Sequence, residues 1–244
     1  MSDEPAGRDL STAQRVRQFL VARFNPKSQL GLGLTASFVV FAFAAWAFSD
    51  LLDAILDNAL LVKFDTWVEN WFHAHATPTG VAVFGQITQF GSPVVDLLVI
   101  VVALYFLRER KPFLAWSWLG VTLGGKGVEY VLKNTVRRPR PEYSTSFLNP
   151  HSYSFPSAHA MDATICYLLL AYFISVRPGA TKATSIIAFS VAMAIIVAVA
   201  LSRLYLGVHY PSDVLGGFLG GVAWLAVCGA TRRLIAGHLE LPAQ

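Results

Sequence analysis

Apolar residues form long runs along this chain, and polar residues form short clusters between them. Runs that approach or reach about 20 residues, the length that crosses a bilayer as a helix, lie at 30–49, 91–107, 112–132, 158–176, 183–202 and 214–231. The second is the least regular, because Asp96 falls inside it and Gly91, Ser92 and Pro93 blur its start. Residues 50–90 follow another pattern. Phe64, Trp67, Val68, Trp71 and Phe72 recur at helical spacing, with Asp65 and Glu69 on another face. That predicts an amphipathic helix at a membrane interface, where Trp is enriched.

The chain has 244 residues, 55% hydrophobic and 14% charged, with a mean hydropathy of +0.51. A soluble domain carries nearer a quarter charged residues. The expected fold is therefore an all-α polytopic membrane protein with six transmembrane helices. Its membrane domain spans 29–236, with 50–90 as an outer interfacial segment. A cytoplasmic segment, 1–28, precedes it and a cytoplasmic tail, 237–244, follows. Cys166 and Cys228 fall near opposite ends of different helices and read as unpaired apolar fillers. His73 and His75 lack the carboxylates or thiolates of a metal cluster and read as solvated surface.

The distribution of charge orients the helices. Arg8, Arg15, Arg17, Arg23 and Lys27 precede the first run, and Arg232 and Arg233 follow the sixth. Arg108, Arg110 and Lys111 join the second to the third, and Arg177 and Lys182 the fourth to the fifth. The positive-inside rule places these regions, and both termini, in the cytoplasm. One outer loop breaks the rule: residues 133–157 hold Lys133, Arg137, Arg138 and Arg140 against Glu142. Cations kept on the wrong side suggest a task.

With this threading, three polar clusters reach one depth on the outer side. They are Lys133 with Arg140-Pro141, then Pro156-Ser157-Ala158-His159, then Ser202-Arg203 with His209 and Asp213. Ser157 can cap the helix that follows, whose free N–H groups suit a phosphate. Lys133, Arg140 and Arg203 supply positive charge, Arg as a planar fork and Lys as a point. Arg137 and Arg138 read as supporting or lipid-headgroup contacts. Asp213, in the first turn after Pro211, can reach back to one nitrogen of His209 and fix its tautomer, as in a nucleophilic dyad. Lys126, Glu129 and Lys133 share a helix face, so Glu129 is expected to pair with Lys126 or Lys133 and steady the phosphate-binding lysine.

The three clusters, with six residues between Lys133 and Arg140, five between Arg203 and His209 and three between His209 and Asp213, resemble the signature motifs of the type 2 phosphatidic acid phosphatase superfamily. The resemblance implies an integral membrane phosphatase that hydrolyses a phosphomonoester or pyrophosphate of a lipid through a phosphohistidine. His209 would be the nucleophile and Asp213 its orienting partner. His159 would be the acid toward the leaving oxygen and then the base toward water. Lys133, Arg140, Ser157, Ala158 and Arg203 would hold the phosphate, with Lys126, Glu129 and Ser202 in support. The partners implied are a lipid phosphate and the bilayer, with no metal, cofactor or nucleic acid. The site would lie on the outer face of the cell membrane. Ala158 stands where the family's usual residue is glycine, and alanine disfavours positive φ.

Other classes fit less well. An anion or lipid transporter would show broken helices at midplane and inverted repeats. Vanadate-dependent haloperoxidases share the motif set but are soluble. A structural membrane protein leaves both histidines unexplained. The lipid stays open among phosphatidylglycerophosphate, phosphatidic acid, undecaprenyl pyrophosphate and lipid A phosphates.

Overall fold

The computed structural model describes residues 21, 31–142 and 152–239. The basic residues Arg8, Arg15, Arg17, Arg23 and Lys27, and the last five residues of the tail, lie outside this description. In chain order the helices are α1 (Leu32–Asp57), α2 (Ala59–His75), α3 (Pro78–Ile87), a 3-10 turn (Thr88–Gly91), α4 (Pro93–Arg108), α5 (Pro112–Val136), α6 (Ala158–Val176), α7 (Lys182–Tyr205) and α8 (Pro211–Leu239). No strand occurs among the described residues.

Local chemistry sets these boundaries. Proline, whose missing N–H costs nothing in a first turn, opens α3, α4, α5 and α8. The Asn58 side chain accepts from the N–H of Leu60 at 2.9 Å and caps α2. Thr181 and Thr184 form a reciprocal capping box on α7. α5 ends where Arg137 turns left-handed at φ 54.

Each of the six apolar runs falls on one of these helices, with observed ends up to eight residues beyond the predicted ones. Among the described residues, five segments are long and apolar enough to cross a membrane: Leu32–Asp57, Pro78–Arg108, Ala158–Val176, Lys182–Tyr205 and Pro211–Ile235. The second joins α3, the 3-10 turn and α4, so the irregularity around Gly91 sits inside one long apolar segment. α5 has 25 residues but is not among the five. Lys126, Glu129 and Lys133 all fall in its second half and lower its hydropathy.

The chain divides into two compact units, one of residues up to Phe41 and from Ala226 onward, the other of Ala42–Leu225. In the first, Arg233 donates to Ser37 Oγ at 2.8 Å and lies where a side chain at Gly33 would otherwise be. The second holds every predicted site residue. Its core joins α4, α5, α6 and α7 through Val95, Val99, Phe106, Trp118, Ala163, Cys166, Ile196 and Val199. The indole N–H of Trp118 donates to the Val99 carbonyl at 3.0 Å, so this bulky ring is buried without an unmet donor.

α6 packs closely against α8 because the contact is made of small residues. A Cβ on Gly217 would lie 2.5 Å from the Ser157 carbonyl oxygen and 3.0 Å from the Ala160 Cβ. Only glycine permits this approach, the packing by which membrane helices come close. It brings the start of α6 beside the first turn of α8.

The amphipathic helix exists as α2. Its aromatic side faces outward, with Phe64, Trp67 and Trp71 exposed, and its acidic side is buried. Asp65 and Glu69 are turned into the protein, at 1% and 7% exposure, where an interfacial helix would ordinarily show carboxylates to water. His75 stacks on Trp71 and contacts the Trp71 carbonyl oxygen at 2.7 Å.

Candidate active site

The close approach of α6 and α8 is sealed by a backbone bond, Ser157 N–H to the Asp213 carbonyl at 3.0 Å. Residues 56 positions apart are joined at the point where both helices begin. Ser157 is the residue before α6, but its hydroxyl does not cap the helix as the sequence suggested. Its Oγ is buried and has no hydrogen-bond partner. The left-handed backbone conformation considered for Ala158 does not arise, because Ala158 is the first helical residue of α6. Alanine fits there without strain.

The cations come from three elements. Lys133, in the last turn of α5, pairs with Glu129 at 3.0 Å. Arg203, near the end of α7, is 3% exposed and donates Nη1 to Thr88 Oγ1 at 2.7 Å, while its Nε lacks a partner. Arg140 donates to the carbonyls of Ser152, Val208 and Tyr153 at 2.7, 2.8 and 3.3 Å, and to Ser152 Oγ at 3.1 Å. Those bonds fix the guanidinium beside His209. His159, in the first turn of α6, interacts electrostatically with Arg203, His209, Lys133 and Arg140. It packs on the 3-10 turn, where a Cβ on Gly91 would lie 2.9 Å from its own Cβ.

His209 sits between an arginine and a carboxylate. Its Nε2 is 3.2 Å from Arg140 Nη1, and its Nδ1 is 3.4 Å from Asp213 Oδ2. Arginine can only donate, so Nε2 is the unprotonated nitrogen and the ring proton sits on Nδ1, facing Asp213. The Nδ1 contact, at 3.4 Å, is at the long end of hydrogen-bond geometry. Asp213 is held by the Tyr210 N–H at 2.9 Å and by Arg138 Nη1 at 2.7 Å. His209 lies in the loop between α7 and α8. Burial, with Arg203, Arg140 and Lys133 nearby, lowers its pKa well below the ordinary 6.5.

The structure gathers Lys133, Arg140, Ser157, His159, Arg203, His209 and Asp213 into one site in the second unit. Ser202 bonds to the Val199 carbonyl at 2.6 Å and serves the end of α7. Lys126 stands apart, paired with Asp162 at 2.8 Å and Asp96 at 3.0 Å. Of the two pairings open to Glu129, the one with Lys133 forms.

The sequence reading missed Thr88, Asp65 and Asp162 as partners, and underrated Arg138. Two signals were available. Asp162 follows His159 by one helical turn, on a helix that faces the half-buried Lys126. Asp65 and Glu69, four apart and opposite an aromatic stripe, mark an acidic face with no reason to be wet. Arg138 is an inward bridge between Asp65 and Asp213, not a headgroup contact, with its guanidinium 4.4 Å from the Tyr210 ring centre. Arg138 and Tyr210 also form part of the wall of a cavity of about 340 Å³ lined by Leu56, Val62 and Val136 among others.

Residues 114–234 match the PAP2 superfamily. The chain is 33% identical over 188 residues to phosphatidylglycerophosphatase B of Bacillus subtilis, covering 75% of this chain and 84% of that protein. It is 30% identical over 168 residues to a decaprenylphosphoryl-5-phosphoribose phosphatase of Mycobacterium tuberculosis, covering 66% and 82%. The crystal structure of a transmembrane PAP2-type phosphatidylglycerolphosphate phosphatase from Bacillus subtilis matches with a TM-score of 0.70 and 28% identity, over 81% of this chain and 96% of that one. The chain belongs to the PAP2 superfamily. It is a multi-pass membrane phosphatase that acts on lipid phosphate.

The setting of His209 predicts its titration. In the substrate-free protein its imidazole should stay neutral well below pH 6.5, followed by NMR of histidine-labelled protein and assigned with His209→Ala. Arg140→Gln should move the titration upward by removing a cation. A His209 transition at 6.5 or above in the parent protein would contradict the assignment of a buried, cation-flanked ring.

Proposed function

We propose that this lipid phosphatase transfers the phosphoryl group of a phosphomonoester or pyrophosphate first to His209 and then to water. One observation carries the reading. Among the described residues, the two buried side-chain polar atoms without a partner are Ser157 Oγ and Arg203 Nε, both donors, both among the residues of one site. Buried donors are nearly always satisfied, and an anionic oxygen is the acceptor both lack. Phosphate oxygens held by Ser157, Arg203, Lys133 and the N–H groups at the start of α6 would supply it.

In this mechanism Nε2 of His209 attacks phosphorus and the bond to the lipid oxygen breaks. His159 gives that oxygen a proton. The phosphorylated ring keeps its Nδ1 proton and donates it in a hydrogen bond to the Asp213 carboxylate, which stays ionised. His159 then takes a proton from water, the water oxygen attacks phosphorus, and the N–P bond breaks to release inorganic phosphate. Lys133, Arg140 and Arg203 balance the charge on the equatorial oxygens, so the proposal needs no metal ion. Arg140 must loosen its contact with Nε2 as phosphate arrives, exchanging a nitrogen acceptor for an anionic oxygen.

The proposed threading has six membrane helices, α5 completing the set despite its charges, with both termini cytoplasmic and the site on the outer face of the cell membrane. The domain is 29–236, and 50–90 forms the outer interfacial part. Lipids bearing an exposed phosphate in that leaflet are the proposed substrates. Both named relatives act, by their names, on a phosphate carried by a lipid.

Two measurements test this reading. His159→Ala should lower turnover of a lipid phosphate by about 10²–10⁴-fold, the usual value of a general acid. Its first burst of leaving group should largely recover with an aryl phosphate, whose phenol departs without a proton. His209→Ala should stay inactive on both, and EDTA should change neither. Equal, unrescued loss in the two variants would remove the division of roles. For topology, a thiol introduced as Glu142→Cys should react with an impermeant reagent added to intact cells, and one introduced as Arg177→Cys should not. The opposite labelling would invert the threading.

A further inference from the structure

Asp65 is a buried carboxylate on α2, distant in sequence from every motif, and the mechanism above gives it no task. It accepts from Arg138 Nη2 at 2.8 Å, from the Ser212 N–H at 3.1 Å and from the Ser212 hydroxyl. Arg138 Nη1 donates to Asp213 Oδ1 and to Ser212 Oγ, each at 2.7 Å. The other oxygen of Asp213 faces Nδ1 of His209. An unbroken series of hydrogen bonds therefore runs from α2 to the imidazole.

We propose that Asp65 is a positioning residue for phosphoryl transfer: through Arg138 it fixes the Asp213 carboxylate and supplies the negative charge that the phosphorylated ring of His209 requires. This rests on His209 being the nucleophile. The charges around Arg138 show why a second carboxylate is needed. Arg138 with Asp213 alone would be a neutral pair, its carboxylate already saturated by a guanidinium. Asp65 takes the second arm of the same guanidinium, which leaves two carboxylates for one cation. When Nε2 bonds to phosphorus the ring, still protonated at Nδ1, becomes cationic. The group of Arg138, Asp65, Asp213 and ring is then neutral.

That balance matters because these groups are buried. An unmatched charge in a low-dielectric interior is costly, whereas a matched and hydrogen-bonded one is tolerated. The geometry also explains an arginine at position 138. Only a planar fork can hold Asp65 with one nitrogen and Asp213 with another, and a lysine cannot do both at fixed angles. The Tyr210 ring under the guanidinium holds its plane. α2, whose opposite face presents Phe64, Trp67 and Trp71 outward, thereby becomes part of the machinery that sets the nucleophile.

The test uses the full-length protein in detergent with an aryl phosphate and a lipid phosphate. Asp65→Asn keeps the size and one acceptor but removes the charge. It should lower kcat roughly 30-fold, the effect of one charge acting across a protein interior, with KM within about twofold and the melting temperature little changed. Arg138→Lys should act alike. In an Asp213→Asn background, Asp65→Asn should cost less than about threefold, because the last link to the ring is already missing. A purely structural Asp65 would lower the melting temperature and the yield of folded protein while leaving kcat per folded molecule intact. That result, or full additivity with Asp213→Asn, would overturn the proposal. If Asp65→Asn does not fold, Arg138→Lys decides, since it keeps the cation but cannot hold Asp65 and Asp213 together. A kcat reduced by about threefold or more at constant KM supports the proposal, and a smaller change overturns it. Turnover surviving in His209→Ala would instead remove the nucleophile reading itself.

Discussion

The backbone bond from Ser157 to Asp213, and the glycine at 217 that permits it, fix the distance between two helix starts on which the site depends. Each cluster of the candidate site borders a helix end, so the proposed chemistry is positioned by how rigid rods meet. α6 brings Ser157 and His159, α8 brings Asp213 and sets the approach of His209, and α7 brings Arg203. Were α6 and α8 spaced by an ordinary side chain, the Ser157 hydroxyl and the His209–Asp213 pair would be drawn apart. Placing functional groups on packed helices, with close contacts behind them, holds geometry better than a free loop could.

Burial of charge is the second constraint. α5 carries Lys126, Glu129 and Lys133 into an otherwise apolar layer, and each lysine is answered. Lys133 has Glu129, and Lys126 has Asp162 and Asp96. Asp65, Arg138 and Asp213 form a third network. Only Ser157 Oγ and Arg203 Nε are left open among buried side-chain polar atoms of the described residues, and they open toward the substrate phosphate in the proposed mechanism. A site that satisfies its buried groups except where the ligand will bind is preorganised for that ligand, and part of its binding energy comes from meeting those donors.

Much of this was legible from the chain. The apolar runs located the helices because bilayer thickness imposes their length, and the start of α6 at Ala158 fell where the Pro156-Ser157 pair predicted it. The spacing from His209 to Asp213 predicted their contact because one helical turn dictates it. The pairing of Glu129 with Lys133 followed from the same periodicity. What escaped was contact between distant segments. Nothing near Asp65 announces Arg138, 73 residues away, and nothing near Arg203 announces Thr88, 115 residues away. The amphipathic pattern of α2 was legible too, but hydrophobic periodicity gives two faces and not which environment each meets. In a bilayer the aromatic face can point out and the acidic face in. The cap at Ser157 was misread because a residue that commonly caps a helix here leaves its hydroxyl free.

The central claim is that His209 carries the phosphoryl group. Rapid-quench trapping with a ³²P-labelled aryl phosphate tests it most directly in His159→Ala protein, where activation of water is slowed and the intermediate should accumulate. Peptide mapping should then find an acid-labile, alkali-stable phosphate on His209, and none in a variant that also carries His209→Ala. Label on another residue, or leaving-group release in the burst with no phosphate on His209, would contradict the account.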